Sequence, residues 1–359
     1  MTRALARAGI EVHVLEADRA LPGLRSRFGR KHLVDDINGP GLVQALLVLR
    51  ERVAPETRPV LFVMNDRMVR TLAADIVRVT AAYRLSWAPQ ADEVAALTDK
   101  SVLAAHCLRA GLDYPQTVVV HSLDEVAALA GRTDWPRILK PARPLSGFKV
   151  HVATSAADAL DFLQAHAADF PVLVQQWIEG DAKAIRFCAL YLEGGRPIAR
   201  FEGRKLRAEP MGNTTVAEPA RHDAVFDCAR RFFAGTGLTG PVSLELKFDP
   251  SGRPWVIEPT VGRTDFWIDL CVANGVNLPL IEYHHQADLA LPEARQSDRR
   301  VWVNASSDFA ALAWYALNFR RSPHLAFALR FAYLDWADSA PFWSALEGLG
   351  SHLVAMLTR

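Results

Sequence analysis

Two β-prone segments near residue 250 are joined by a turn sequence. The segments are "PVSLELKF", residues 241–248, and "RPWVIEP", residues 253–259. Between them lies Asp-Pro-Ser-Gly, in which aspartate suits the first turn position, proline fixes the next φ, and glycine is free to take a positive φ. The two segments are therefore predicted to pair as an antiparallel hairpin.

Within this hairpin, Glu245 and Glu258 are predicted to stand directly opposite each other. A register that pairs Leu246 with Ile257 places apolar side chains on one face and the two glutamates on the other. A slip by one residue would move Glu258 among the apolar side chains, because neighbouring strand residues point to opposite faces. The side-chain pattern thus favours the register with paired glutamates.

Two carboxylates at this position require compensation. Directly opposed side chains have Cβ atoms about 5 Å apart, and like charges there destabilise a sheet. Mg²⁺ prefers carboxylate oxygens together with substrate phosphates, so the hairpin is interpreted as a platform for magnesium and a nucleotide. The alternative is a solvated strand face on which Lys247 neutralises one carboxylate.

Composition limits the class of protein. The chain of 359 residues is long enough for two or three domains, and half of its residues are hydrophobic. The charges of its 41 basic and 40 acidic residues nearly cancel. No global field is expected to attract nucleic acid or an anionic membrane. The four cysteines are far apart and lack metal-site spacing, and neither a signal peptide nor an apolar run of about 18 residues is visible. A cytoplasmic protein is expected, with its oligomeric state open.

Residues 1–92 have the alternation of helix and strand that is typical of an α/β domain with a parallel sheet. Helices are predicted at 2–8, 40–53 and 69–83, and strands at 10–18 and 59–66. A helix feeding a strand is the second half of a βαβ unit, so the domain is expected to be a truncated Rossmann-like domain that lacks its first strand.

The pattern changes after residue 140. β-prone segments follow one another in adjacent pairs up to residue 260, with helices at 155–167 and 222–234, which is typical of an α+β antiparallel sheet. After about residue 295 the chain is aromatic and helical in pattern, so residues 291–359 are expected to form a helical extension. Segments 311–319, 324–336 and 341–357 carry this prediction.

Several short motifs occur in an order that resembles the ATP-grasp superfamily. Lys100 opens a helix in "TDK", Lys140 ends a strand in "ILKP", "VLVQQWIEGD" runs from a strand into a polar elbow, and the two glutamates follow. The segments "FEGRKLR" and "NGVNLPLIEY" make the resemblance closest to the predicted ATP-dependent carboxylate-amine ligases.

The resemblance covers residues 1–290 and implies a domain plan. A truncated domain at 1–92 would precede an ATP-grasp domain at 93–290. That domain would have a smaller nucleotide-clamping part, 93–176, and a larger metal-binding part, 177–290.

The resemblance also implies a phosphate-binding set. Lys100 and Lys140 match the two lysines that hold ATP phosphates as point charges. Residues 143–149 match the loop that covers the triphosphate, with Ser146 and Gly147 in place of a longer glycine run and Lys149 adding charge. Solvated lysines and an ordinary surface turn are the alternatives.

The adenine site is implied at the end of the segment "VLVQQWI". Its main chain would pair with the adenine edge, with the indole and the isoleucine over the ring, and an acid shortly after would bind ribose. An ordinary core strand is the alternative, and Glu179 competes for the ribose role. The implied residues are Gln175, Gln176, Trp177, Ile178 and Asp181.

Glu245 and Glu258 match the two acids that bind Mg²⁺ in the family, with Mn²⁺ as a possible substitute. Many relatives carry an asparagine two residues after the second acid, where this chain has Thr260. A hydroxyl can still reach a phosphate or a metal-bound water. Arg263 falls near an arginine that contacts phosphate or the transferred acyl group.

Further positive charge lies on or beside central strands. Arg186, Arg204 and Lys205 would be costly there without a negative partner, so they are expected to face a cleft that holds an anion. The alternative is pairing with Glu202 or Glu209.

The resemblance implies an ATP-dependent ligase that forms an amide or peptide bond between a small-molecule carboxylate and an amine. The substrates would lie near Asn65, Asp66, Arg204 and Arg263, where Arg263, Lys205 and Arg204 would stabilise the reacting groups. A non-catalytic ATP-binding protein of the same fold is the alternative. A kinase-like or carboxylase-like enzyme without an amine substrate is a third hypothesis.

Overall fold

The computed structural model describes residues 1–143, 146–209, 213–317, 325 and 328–347. The bounded α-helices are α1 (Thr2–Arg7), α2 (Gly41–Val53), α3 (Asp66–Ala74), α4 (Ile76–Ala82), α5 (Ala91–Leu97), α6 (Leu103–Arg109), α7 (Leu123–Ala127), α8 (Ala156–Gln164), α9 (Asp223–Phe233), α10 (Ile268–Ala273), α11 (Leu278–Gln286) and α12 (Ala305–Leu317). The strands are β1 (His13–Glu16), β2 (Arg30–Leu33), β3 (Thr117–Val120), β4 (Arg137–Pro141), β5 (His151–Ala153), β6 (Val172–Gln176), β7 (Ile185–Glu193), β8 (Arg196–Ala208), β9 (Thr214–Pro219), β10 (Gly240–Phe248), β11 (Pro254–Val261), β12 (Arg300–Val303) and β13 (Ala328–Phe331).

Within the described residues, seven strands form one large sheet in the order β11-β10-β7-β8-β9-β12-β13. Its neighbours pair antiparallel except β12 and β13, which are parallel. Because successive side chains alternate between faces, each strand contributes to two cores. Leu244 and Leu246 pack against α9, whereas Phe187 and Tyr191 pack against α10 and α11 on the other side.

A second, smaller sheet has the order β3-β6-β4-β5 and is antiparallel throughout. Val172, Val174 and Leu139 point to one face and form an apolar core with residues of α7 and α8. The alternation leaves Thr117 and Gln175 on the opposite face. The antiparallel pairing predicted between residues 140 and 260 is therefore confirmed, and the chain has α/β content with mixed sheets.

The N-terminal region contains a two-stranded parallel sheet of β1 and β2. The strand predicted at 59–66 is wrong, since the structure has a single parallel bridge between Val60 and Arg84 there. The helix predicted at 69–83 is two helices, because the backbone at Asp75 leaves the helical region with a φ of −127°.

The predicted glutamate hairpin is present, and Glu245 pairs with Glu258 as expected. The Leu246–Ile257 pair is wrong, because a β-bulge shifts the register and Leu246 pairs with Val256. The bulge directs Val256, which is 1 % exposed, into the α9 core. It leaves the two glutamates opposed on the other face.

The C-terminal region is not the purely helical extension that was expected. β12 and β13 extend the large sheet, so the helix predicted over 324–336 is wrong at Ala328–Phe331, where the backbone pairs with β12. α12 and the helical residues 340–347 agree with the prediction. The rest of the segment predicted at 341–357 lies outside the described residues. In the part of the chain that the structure describes, no helix is both long and apolar enough to cross a bilayer.

Candidate functional site

A cluster of charged side chains lies between the small sheet and the glutamate hairpin. Lys100 at the start of a 3₁₀ turn, Lys140 on β4 and Lys205 on β8 point toward it, and Arg263 follows β11. The acids are Asp66, Glu245 and Glu258. Six of these seven residues were proposed for the site from sequence, and Asp66 was placed near it. We call this cluster the cleft.

Each opposed glutamate forms an ion pair with its own lysine. Lys205 Nζ lies 2.6 Å from Glu245 Oε2, and Lys100 Nζ lies 2.9 Å from Glu258 Oε1. These cations explain how two glutamates stand opposite each other in the sheet. The sequence alternative expected Lys247 in this role, but its ammonium lies 4.9 Å above the Trp177 ring.

The charge state of Glu258 follows from its surroundings. Burial would raise the pKa of its carboxyl, but the ion pair and hydrogen bond with Lys100, helped by Lys140 and Arg263, lower the pKa to about 2. Burial likewise lowers the pKa of Lys100, and Glu258 outweighs that effect and raises it. Glu258 is therefore a carboxylate, and Lys100 an ammonium, at neutral pH.

The two carboxylates fit a divalent cation of the Mg²⁺ type. Glu245 and Glu258 are the kind of hard oxygen donors that Mg²⁺ prefers, and their opposed placement lets them share an ion. The described residues contain no group of three or more acidic, histidine or cysteine side chains that could hold a metal. Two carboxylates suit Mg²⁺, since this ion completes its shell with water and substrate phosphates.

Lys140 differs from the other cations of the cleft. Its Nζ donates to Gln175 Oε1 at 3.0 Å, and it forms no ion pair among the residues that the structure describes. Burial, opposed in part by the charge of Glu258, lowers the pKa of Lys140 to about 8. Its positive charge is thus the least compensated in the cleft.

Arg263 is held by Asp66 through an ion pair, which connects the end of the hairpin to the N-terminus of α3. Gly262 directly before it has a φ of +69°, and a Cβ there would lie 2.7 Å from Val94 Cγ1. The turn that directs Arg263 into the cleft therefore requires glycine.

The predicted adenine segment lies at the end of β6. Gln175 is buried at 1 % exposure, and Ile178 at 5 %. Gln176 Oε1 accepts from the Gln116 main-chain N–H at 3.2 Å. Asp181, proposed for ribose, accepts from Lys183 N at 2.9 Å and caps a 3₁₀ turn.

The predicted phosphate loop makes contacts with other parts of the protein. Ser146 Oγ donates to the Arg143 carbonyl at 2.9 Å, and Gly147 N donates to Asp169 Oδ1 at 2.6 Å. Lys149 Nζ donates to Asn213 Oδ1 at 2.6 Å, beside the large sheet. Residues 144 and 145 of this loop lie outside the described part of the chain.

Arg204 is not brought into the cleft. It lies on the α9 side of the large sheet, and its Nε is 2.5 Å from Glu218 Oε1. The sequence alternative, in which Glu202 or Glu209 pairs with Arg204, is therefore wrong. Arg186 lies directly across from Arg204 and over the Phe248 ring.

Two residues near the cleft were missed in the sequence. Asp265 accepts hydrogen bonds from Thr260 Oγ1 at 3.0 Å and from Ser243 Oγ at 2.9 Å, so the Thr260 hydroxyl is bound within the protein. Trp267 stacks on Phe187 and lies 5.6 Å from Lys205 Nζ. The signal was "RTDFW", a charged and aromatic run directly after the hairpin.

Comparison with known proteins places this geometry in a fold class. No family model matches the chain. The carbamoyl phosphate synthase large chain of Pyrococcus furiosus is 32 % identical over 181 residues, which are 47 % of this chain and 16 % of that protein. The chain spans less than a fifth of the length of the curated relatives that it matches.

Solved structures are similar over most of the chain. A carboxyaminoimidazole ribonucleotide synthase from Aspergillus clavatus, complexed with ATP, has a TM-score of 0.65 and 16 % identity, covering 91 % of this chain and 86 % of that one. The biotin carboxylase domain of Hydrogenobacter thermophilus 2-oxoglutarate carboxylase, in complex with MgADP, ADP and bicarbonate, has a TM-score of 0.65 and 12 % identity, covering 84 % and 70 %. Both are ATP-grasp proteins.

The chain therefore has the ATP-grasp fold, as its motifs predicted.

Proposed function

We propose that the chain is an ATP-dependent ligase that joins a small-molecule carboxylate to an amine and releases ADP and phosphate. The observation that carries the proposal is the cleft, in which Glu245 and Glu258 stand opposed and each already has a lysine beside it. The names of similar proteins, which include a synthase and a carboxylase, support an ATP-dependent bond-forming reaction.

In this proposal ATP lies between residues 93–176 and 177–290. The segment from Gln175 to Ile178 binds adenine, Asp181 is a candidate for ribose, and the cleft lysines bind the triphosphate. Ser146, Gly147 and Lys149 would change their present contacts to cover it. Residues 1–92 form one wall of the substrate site, and β12 and β13 extend the large sheet beyond it.

Mg²⁺ would be held by Glu245 and Glu258, where it would neutralise charge that develops between the β- and γ-phosphates. The chain's own cations act alongside it. Lys100 and Lys205 each pair with one of those acids. When ATP binds, each ammonium would exchange its carboxylate partner for a phosphate oxygen. Among the described residues, Lys140 has no carboxylate partner to give up, so it supplies a cation that is already available.

The reaction would proceed in two steps. An oxygen of the substrate carboxylate attacks the γ-phosphorus, and the bond to the β-phosphate oxygen breaks, giving an acyl phosphate and ADP. The amine nitrogen then attacks the acyl carbon, phosphate leaves with the electron pair of the C–O bond, and the amine releases a proton. Arg263 would bind the carboxylate or the transferred phosphoryl group after exchanging Asp66 for it. No nucleophilic side chain is required.

ADP release with Mg²⁺-ATP tests the proposal, with amino acids, other amines and bicarbonate supplied as substrates. We expect ADP formation that depends on a carboxylate and increases with an amine. ADP formed with a carboxylate but no amine dependence would support the kinase-like or carboxylase-like hypothesis. Tight ATP binding without ADP from any mixture would support the non-catalytic ATP-binding alternative. ADP formation that Glu258→Gln leaves unchanged would exclude the metal assignment.

A further inference from the structure

Lys140 is held in the cleft by a short relay of hydrogen bonds across the small sheet. Its Nζ donates to Gln175 Oε1 at 3.0 Å, Gln175 Nε2 donates to Thr117 Oγ1 at 2.9 Å, and Thr117 Oγ1 donates to the Pro115 carbonyl at 2.7 Å. Thr117 stands directly opposite Gln175 in the pairing of β3 with β6.

The direction of this relay is determined by its two ends. An ammonium has three donors and no acceptor, so Lys140 can bond only to the amide oxygen of Gln175. A hydroxyl has one proton, and that of Thr117 goes to the Pro115 carbonyl, so its oxygen can only accept from the Gln175 amino group. Both ends therefore select the same orientation of the buried amide.

Burial makes this orientation costly to change. Gln175 is 1 % exposed, so an amide rotated by 180° would face Lys140 with a second donor and leave polar groups unpaired. The Tyr114 hydroxyl also lies against Gln175 and Thr117, and burial raises its pKa well above the ordinary range, so it remains a neutral hydroxyl.

The side chain at position 175 is also neutral. A glutamate there would hold Lys140 equally well but would cancel its charge. Glutamine holds the ammonium in place and leaves its charge available to an anion.

We propose that Thr117 and Gln175 are positioning residues for Lys140. The Thr117 hydroxyl orients the Gln175 amide, and the amide oxygen holds the lysine so that its charge, the least compensated in the cleft, faces the triphosphate. The inference rests on the proposed function for the identity of the anion, and it assigns the Gln175 side chain a role separate from main-chain recognition of adenine.

Calorimetric titration of the full chain with ATP and with adenosine tests the role. Gln175→Met should weaken ATP binding by about tenfold or more, the effect of losing one hydrogen bond to a charged group. Gln175→Glu should weaken it by a similar factor, because the added carboxylate cancels the charge of Lys140. Thr117→Val should weaken it severalfold, and Thr117→Ser, which keeps the hydroxyl, should restore it. Adenosine affinity should stay within about twofold in every variant, because adenosine has no phosphate. Equal losses for ATP and adenosine would show that Gln175 acts on the base and would overturn the proposal.

A double-mutant cycle separates positioning from an independent contact. Because Gln175 acts through Lys140, the Lys140→Met/Gln175→Met double variant should bind ATP no more weakly than Lys140→Met alone. Additive losses would contradict the inference. Thermal unfolding of each variant checks that the sheet still forms.

A measurement without nucleotide keeps this inference distinct from the proposed function. The rate at which acetic anhydride modifies the Lys140 amine, followed by mass spectrometry, should rise severalfold in Thr117→Val and remain at the wild-type rate in Thr117→Ser. An unchanged rate in Thr117→Val would overturn the positioning role whether or not the protein binds ATP. Absence of ATP binding in the wild-type chain, with the rate change present, would overturn the proposed function and the phosphate-facing role but leave the relay established.

Discussion

Lys205 and Arg204 are neighbours on β8, but they point to opposite faces of the large sheet. Lys205 pairs with Glu245, which stands opposite Glu258 and is 18 % exposed. Arg204 pairs with Glu218, whose side chain is 7 % exposed against the α9 side. The cleft pair lies beside a second pair of opposite charges, Lys100 and Glu258, whereas the Arg204–Glu218 pair has only the further cation Arg186 across from it among the described neighbours on the sheet. The role of a charged residue on this strand therefore depends on what lies across from it.

Replacing the acids of the two faces should give the largest contrast. We expect Glu258→Gln to lower carboxylate-dependent ADP release by about 100-fold or more, since it removes one of two carboxylates at the reacting phosphates. The matched change Glu218→Gln should leave turnover within about threefold. The measurement is the rate of ADP formation at saturating Mg²⁺-ATP. Equal losses of ADP formation in Glu258→Gln and Glu218→Gln would contradict a specific role of the cleft in turnover.

The neighbouring cations should separate activity from stability. Lys205→Met is expected to lower ADP release by about 10-fold or more, because it removes a cation of the cleft and leaves Glu245 opposite Glu258 without its ion-pair partner. Arg204→Met should instead cost about 1–3 kcal/mol of unfolding free energy, because it leaves Glu218 buried without its partner. Urea denaturation and ADP release, measured on both variants, provide the test. Loss of activity without loss of stability in Arg204→Met would place Arg204 in the catalytic site after all.

The cleft should also take up protons when ATP binds. The pKa of Lys140 is about 8 in the free protein, because burial disfavours its ammonium form. Phosphate charge favours the ammonium and raises that pKa, so proton uptake should grow as pH rises above about 8. Calorimetry at pH 8.5 in two buffers of different ionisation enthalpy measures the uptake.

Lys140→Met should abolish this proton uptake, and Arg204→Met should leave it unchanged. The same lowered pKa affects stability, because the unfolded chain binds more protons than the folded one between about pH 8 and 10.5. The contribution of Lys140 to the free energy of unfolding should therefore increase with pH over that window. A proton release on ATP binding would contradict the assignment.

The smallest effect is expected at Thr260. Its hydroxyl donates to Asp265, so Thr260→Val should cost about 1 kcal/mol of unfolding free energy and change ADP release by no more than severalfold. Ser243→Ala, which removes the other hydroxyl bound to Asp265, is the matched control. A loss of turnover as large as that of Glu258→Gln would show that Thr260 takes over the role of the asparagine found in relatives.

Much of the cleft could be predicted from sequence because its signals are local. The Asp-Pro-Ser-Gly turn and the alternation of side chains predicted that Glu245 and Glu258 would be opposed, and they are. The order of motifs predicted Lys100 and Lys140 beside them, and the structure brings both to the cleft. The bulge at Ile257 was not predictable from the hairpin segments, because it places Val256 in the core formed with α9, and α9 is not part of the hairpin.

The sequence by itself determined that residues 241–259 form a hairpin, where that hairpin turns, and that two carboxylates lie opposed on it. These features depend on backbone preferences and on side chains a few residues apart. The tertiary structure decided which cation meets which acid, that Arg204 lies behind the sheet, and that β13 extends it. Those outcomes depend on which strands become neighbours, and that is settled by packing between residues far apart in the chain.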